Sequence, residues 1–399
     1  MTQRAIAVLG TFDSKGEEHL FLKERIEARG FQTVTLHVGT LGPSPFPPDH
    51  DLFREVVEAL PAAERDRDRS IQAVREEGRR RLGTLYEKGA VHGAISAGGG
   101  TGTHLSTGIM RVLPFGVPKV MVSTVASRDM SSVVGTRDIT MMHSVADILG
   151  VNSLLGPILD GAAGAVCGMA APTWTPPSGR PRIGLTMFGF ITRAAEAVKE
   201  RLEALGYEVV SFHANGTGGM AMEELAAEGR FDGLLDLATH ELADELKHGY
   251  CRGIGPQRLA PVPGRTVPRL VVPGGLDCAV LEFTRDTIPA EYRDRPVFFY
   301  DFRSAVRLSP EETLVIADQV VEKLNLQPQN VRVLVPRGGW SEADGPGAPL
   351  HAPEVSQALV DRLRRDLDPA ILLEECAEHI NDPAFADRAA QMLHAMLRG

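Results

Sequence analysis

Cysteine is scarce: Cys167, Cys251, Cys278 and Cys376 are the four present, far apart and with no C-x-x-C spacing among them. That pattern indicates neither a zinc ribbon nor a disulfide framework, and it fits a reducing compartment. Positive charge is in deficit too. The 42 Lys and Arg against 52 Asp and Glu leave a formal net charge of -10. Such a balance argues against a nucleic-acid partner reached through a basic surface, but it leaves room for a small anion in a local pocket. No apolar run approaches the length of a membrane span. Thr2-Gln3-Arg4 leads directly into a strand with no apolar leader segment, so a cytoplasmic protein is expected. The string G-x-x-x-x-G-K-[ST] is missing, and Gly100-Thr101-Gly102 fails as a dinucleotide fingerprint because Leu105 stands where its third glycine belongs.

What is present is glycine concentrated at one place. The stretch Ala94–Thr107 reads AISAGGGTGTHLST. The apolar run Val91–Ala97 predicts a buried strand, Gly98-Gly99-Gly100-Thr101-Gly102-Thr103 a turn, and a helix starting around Thr103 or His104. Four glycines in five positions free the backbone for positive φ and remove side chains that would block a ligand. A strand feeding such a turn and a helix aims free N–H groups at one point, which suits phosphate or carboxylate. The alternative is a tight β–α turn that holds nothing.

A composition of 43% hydrophobic and 24% charged residues is ordinary for a globular protein, and 399 residues is long for one core. Strand Ala5–Leu9, a helix ending at Gly30 and strand Phe31–Val38 open the chain as β-α-β, which argues for a parallel sheet. The loop Gly10–Gly16 lies at a carboxyl strand end and carries Thr11, Asp13, Ser14 and Lys15. Asp13 suits Mg²⁺ coordination through water and Lys15 suits a phosphate; equally, Asp13 or Ser14 caps the helix and Lys15 is solvated. Strand Val117–Ser123 ends in Ser123-Thr124, with Asp129 and Asp138 close behind as metal ligands or caps. Ile139–Val151 and Ile158–Met169 read as helical. The stretch 171–181, with four prolines, marks a domain boundary.

The second half repeats the scheme: strand Ile183–Met187, helix Thr192–Leu205, strand Val209–His213, the loop Asn215-Gly216-Thr217-Gly218-Gly219 and a helix Met222–Ala227. His240-Glu241-Leu242-Ala243-Asp244 differs from the zinc helix H-E-x-x-H only in Asp244. These three could bind a metal or do acid–base work, or simply start a capped helix. Strands leading to Asp277, Asp301 and Ser341 make the carboxyl edge the expected ligand edge. Glu223, Glu241 and Asp277 are the catalytic candidates there. The expected fold is α/β, two Rossmann-like doubly wound subdomains with mainly parallel sheets facing a shared cleft. Their expected bounds are 1–175 and 182–399, with the linker at 171–181.

The strings Gly10-Thr11-Phe12-Asp13-Ser14-Lys15-Gly16-Glu17, Gly98–Thr103, Val117–Thr124, Thr186-Met187-Phe188-Gly189, Phe212–Gly219 and His379-Ile380-Asn381-Asp382-Pro383 together resemble the ATP-binding family named for the tomato mosaic virus resistance protein. The resemblance runs nearly end to end. It implies ATP–Mg²⁺ binding through the first subdomain and a homodimer; the plant member acts by binding a viral replication protein. On this resemblance ATP is expected at Thr11, Asp13, Lys15, Gly98, Gly99, Gly100, Thr101, Gly102, Thr103, Ser123 and Thr124, with Mg²⁺ near Asp129 and Asp138. The second half departs from the family pattern at Phe190–Arg193, Asp277–Glu282, Tyr300–Arg303 and Gly339–Ser341. Three functions are therefore expected: an ATP–Mg-binding enzyme acting on a small metabolite in the interdomain cleft; a nucleotide-dependent binding or regulatory module without turnover; or a metal-dependent hydrolase built on His240 and Glu241.

Overall fold

In the first half, alternate residues of the central strands feed opposite faces of one sheet. Ile6, Val8, Ile95, Val120 and Val122 pack on one side with Leu22, Ile26, Leu159, Ala162 and Val166. Ala7, Leu9 and Ala94 pack on the other with Val74, Leu82, Leu105 and Ile109. Strands buried on both faces need helices on both faces, which is the doubly wound arrangement. The computed structural model describes residues 4–61, 66–171, 174–175 and 179–398. Residues 172–173 and 176–178 of the predicted linker therefore lie outside the described residues. The chain divides into two compact units, residues 1–176 and 177–399.

The first unit runs β1 (Ala5–Gly10), α1 (Phe12–Glu27), β2 (Gln32–His37), β3 (His50–Asp51), α2 (Arg67–Glu87), β4 (Ala94–Gly98), α3 (Gly100–Met110), β5 (Lys119–Ser123), α4 (Ser131–Val134), β6 (Thr140–His143) and α5 (Leu155–Ala170). Its strands lie in the order β3-β2-β1-β4-β5-β6, all parallel. The winding direction reverses between β1 and β4, and ligands of open α/β sheets settle at such a reversal. Two expectations are corrected. The segment expected as helix over Ile139–Val151 contains instead the strand β6, where backbone pairing with β5 outweighs the local pattern. Helix α3 begins at Gly100, not at Thr103, so the glycines are its first turn.

The second unit runs β7 (Arg182–Met187), α6 (Thr192–Ala204), β8 (Glu208–His213), α7 (Thr217–Ala227), β9 (Gly233–Ala238), α8 (Glu241–Lys247), β10 (Arg269–Gly274), β11 (Cys278–Leu281), β12 (Val297–Phe299), β13 (Ser304–Arg307), α9 (Pro310–Leu324), β14 (Val331–Pro336), α10 (Pro353–Asp366), β15 (Leu372–Cys376) and α11 (Pro383–Arg398). Six of its strands form a parallel sheet, β15-β14-β10-β9-β7-β8, with the reversal between β7 and β9. β11, β13 and β12 form a separate antiparallel sheet. The strand leading to Asp301 thus belongs to that small sheet and does not contribute to the parallel carboxyl edge. No helix among the described residues is long and apolar enough to cross a membrane.

Candidate functional site

A pocket of about 240 Å³ opens where β1 and β4 end, lined by residues 11 and 13–15, 40–41, Arg67 and 99–102. One wall is the start of α3. The first bond that closes this helix runs from the Thr103 amide to the Gly99 carbonyl at 2.8 Å. The amides of Gly100, Thr101 and Gly102 precede it and have no acceptor among the described residues. A Cβ at Gly100 would meet nothing within 4 Å, and one at Gly102 would stand 3.9 Å from Thr11 Oγ1. The backbone here is bare towards the pocket. Gly98 has another reason to be glycine, since a Cβ there would lie 3.2 Å from the Gly102 Cα.

The opposite wall is the β1–α1 turn. Asp13 Oδ2 accepts from the Leu41 amide at 2.9 Å and the Gly42 amide at 3.3 Å. Its buried Oδ1 has no hydrogen-bond partner among the described residues. Lys15 breaks the helical geometry with φ -134° and ψ 38°, and its ammonium has no ion-pair or hydrogen-bond partner among the described residues. The guanidinium of Arg67, at the first position of α2, reaches Thr101 Oγ1 at 3.5 Å and pairs with no carboxylate among the described residues. Two cations with no carboxylate partner and three bare amides among the described residues, with the positive end of α3, therefore share one small pocket. His19 ties α1 to β4. Its Nδ1 donates to the Lys15 carbonyl at 2.6 Å and its Nε2 accepts from the Ala97 amide at 3.3 Å, an arrangement that fixes the neutral tautomer. Burial lowers its pKa to about 4. A Cβ at Gly10 would strike this ring at 2.0 Å, so Gly10 makes room for it.

The remaining residues expected here lie elsewhere. Thr103 and Ser123 are buried and bonded to each other at 2.7 Å, and the Thr124 amide donates to the Gly98 carbonyl at 3.2 Å. These three tie α3 and β4 to β5 and are not among the residues that line the pocket. Asp138 pairs with Lys119 at 2.8 Å and accepts from the Gly116 amide at 2.8 Å. Lys119 opens β5, so Asp138 sits at the amino edge of the sheet, opposite the pocket. Asp129 accepts from the Ser131 amide at 2.9 Å and acts as a local cap.

In the second unit, Glu223 and Glu241 are engaged in a buried ion cluster. Arg258 pairs with Glu241, Asp236 and Glu223, and Arg269 pairs with Glu223 and Asp236. Burial raises the Glu241 carboxyl against the pull of Arg258. Glu241 also accepts the Gly216 amide at 3.1 Å, and the Gly218 amide donates to Asn215 Oδ1 at 3.1 Å. The second glycine loop is thus already filled from within the chain. A Cβ at Gly218 would meet the His213 carbonyl oxygen at 1.9 Å, so close packing explains that glycine. Both glutamates are thus committed to ion pairs with arginine. Asp277 is different: its Oδ2 accepts from Ser341 Oγ at 2.9 Å while its buried Oδ1 has no hydrogen-bond partner among the described residues.

Family models describing the N-terminal and C-terminal domains of the uncharacterised protein family UPF0261 match residues 4–174 and 180–397. This chain belongs to the UPF0261 family. It is 35% identical over 403 residues to the UPF0261 protein of Clostridium tetani, covering 99% of each chain. It is 36% identical over 396 residues to the UPF0261 protein RA0729 of Rhizobium meliloti, covering 97% of each. It is also similar to the ToMV resistance protein Tm-1(GCR237) of tomato, Solanum lycopersicum, at 35% identity over 305 residues, which covers 74% of this chain and 40% of the tomato protein.

For this UPF0261 member, sequence reasoning missed Arg67, Thr40 and Leu41 in the pocket lining. Arg67 stands in the run Glu64-Arg65-Asp66-Arg67-Asp68-Arg69, where nothing local separates a pocket cation from a solvated one. It also missed that His240 is fully buried with both ring nitrogens unpartnered among the described residues, its ring stacked on Phe188 at 3.6 Å. A buried polar group left unsatisfied costs on the order of 1–3 kcal/mol, so such a histidine is unusual in a core.

Proposed function

We propose that the first unit binds the polyphosphate of a nucleotide, ATP with Mg²⁺, in the pocket between the β1–α1 turn and α3. The observation that carries this reading is the meeting of Lys15, Arg67 and the Gly100–Gly102 amides at the point where the sheet's winding reverses. The amides and the helix end take phosphate oxygens, the two cations balance their charge, and Asp13, whose Oδ1 is unpaired among the described residues, would hold the metal through water. Among the described residues that line the pocket Asp13 is the one carboxylate, and its Oδ2 is committed to the Leu41 and Gly42 amides; this favours ATP as a held ligand over ATP as a consumed substrate.

Calorimetric titration of the full chain with ATP and Mg²⁺ tests the reading. A Cβ at Gly100 would meet no atom within 4 Å outside its own turn among the described residues, so Gly100→Val should leave folding intact and abolish binding. Lys15→Ala and Arg67→Ala should each weaken binding about tenfold, the size of one charge-assisted contact. Unchanged affinity in Gly100→Val would remove α3 from the site and end the proposal.

A further inference from the structure

The short helix α8 turns two residues of the sequence towards one place. His240 precedes its first residue and Asp244 lies four positions on, the spacing that puts two side chains on one helical face. Glu241, one position after His240, points instead to Arg258. Just beyond the helix, Cys251 completes the group. Donor atoms of His240, Asp244 and Cys251 all lie within 4.8 Å of one another, and all three residues are buried. We propose that these three residues form a binding site for a single Zn²⁺ ion.

Three independent features point there. The first is the donor set: an imidazole, a carboxylate and a thiol are the ligands zinc takes, and three protein donors leave a fourth tetrahedral position for water. The second is His240 itself, which is fully buried with neither ring nitrogen bonded among the described residues; a metal supplies the missing partner. The third is orientation. Asp244 Oδ2 accepts from the Cys251 amide and Oδ1 from the Val280 amide, each at 2.7 Å. Each oxygen keeps a second lone pair for a metal, and amides of this kind fix a ligating carboxylate. Ligand atoms around tetrahedral zinc stand about 3.3–3.8 Å apart, so binding would draw the side chains in by about an ångström. The Cys251 thiol gives up its proton on binding, and imidazole enters neutral.

The site also answers a question of architecture. Residues 248–268, between α8 and β10, contain no helix or strand. Irregular segments beyond about 12–15 residues are uncommon inside a compact domain. A metal bridging Cys251 to α8 fastens the start of this segment to the end of β9. The ion proposed here is separate in residues and in ligand class from the nucleotide pocket of the first unit, so either proposal can fail alone.

The test uses the full chain, stripped with chelator and reloaded first with Zn²⁺ and then with Co²⁺. One Zn²⁺ per chain by elemental analysis is expected, and the Co²⁺ form should show the near-ultraviolet charge-transfer band of a cobalt–thiolate bond. Cys251→Ser should remove that band and weaken metal binding about tenfold or more. Cys167→Ser, in the first unit, should change neither. A wild-type chain that takes up no stoichiometric Zn²⁺ overturns the proposal. So does a Co²⁺ form without the thiolate band, a reading that needs no variant to fold.

Discussion

At the scale of single residues, the second unit concentrates its risk in Arg258. This guanidinium is fully buried, pairs with three carboxylates and donates to the Ala238 carbonyl at 3.1 Å. Removing one member of a buried ion pair strands the others without compensation, which costs about 3–5 kcal/mol. Arg258→Ala should lower unfolding stability by that amount in urea titration; a loss below about 1 kcal/mol would mean water already solvates the cluster. Asp277 makes a subtler case. Burial, and after it the charge of Asp344, pushes its carboxyl up to about 6 from an ordinary 3.8. A carboxyl whose pKa rises on folding stabilises the fold in its protonated form, and that contribution fades as pH climbs from about 4 through 6. Asp277→Asn imitates the protonated state. Its stability relative to the parent should therefore grow between pH 4 and pH 8, by up to about 3 kcal/mol. A difference that stays flat across this range would place the Asp277 charge in contact with solvent.

At the scale of elements, local chemistry and tertiary pairing divide what the sequence reveals. β1, β4, β9 and β10 are buried along their whole length, so their largely apolar runs identify them. β6 has no fully buried residue and carries no such signature. Its partner β5 across the sheet defines it, and no local window of sequence contains that partner. The glycine loops mislead in a consistent direction. Gly100 and Gly102 look like a turn, yet they form the first turn of α3, where their missing side chains expose amides and cost little helix because the end is free. Helix α9 is bounded by a signal of the opposite kind. Ser309 Oγ accepts from the Glu312 amide at 3.2 Å while Glu312 Oε2 accepts from the Ser309 amide at 2.8 Å, a reciprocal cap. Ser309→Ala should cost about 1 kcal/mol, measured by urea unfolding at neutral pH. A larger loss would show that the cap also positions Glu312 for its bonds with Arg295 at 2.7 Å and Lys247 at 2.6 Å. Of the two candidate sites, the pocket was legible as far as its glycines and the Thr11–Lys15 loop. Arg67 was not, because its approach to Thr101 depends on how α2 packs. In α8 the His240–Asp244 spacing was visible, but Cys251 joins only through a turn that no spacing rule describes.

At the scale of the whole molecule, the two units use one winding scheme and give their reversal points opposite fates. In each, the first strand lies inside the sheet, the second lies to one side, and the chain then crosses to the other side. In the first unit the glycine-led helix at the reversal leaves its amides bare, and two cations stand across from them. In the second unit the ends of β7 and β9 at the reversal carry the stacked rings of Phe188 and His240, and the glycine loop after the edge strand β8 is occupied by the protein's own groups. Glu241 takes the Gly216 amide and Asn215 takes the Gly218 amide, and pairing with Arg258 keeps the Glu241 carboxylate there. The expected stoichiometry follows. Calorimetric titration of the full chain with ATP and Mg²⁺ should give one site per chain, and Gly100→Val should reduce it to none. Two sites in the parent, with one surviving in Gly100→Val, would show that the Glu241 plug yields to nucleotide. The units would then share their ligand chemistry as well as their winding.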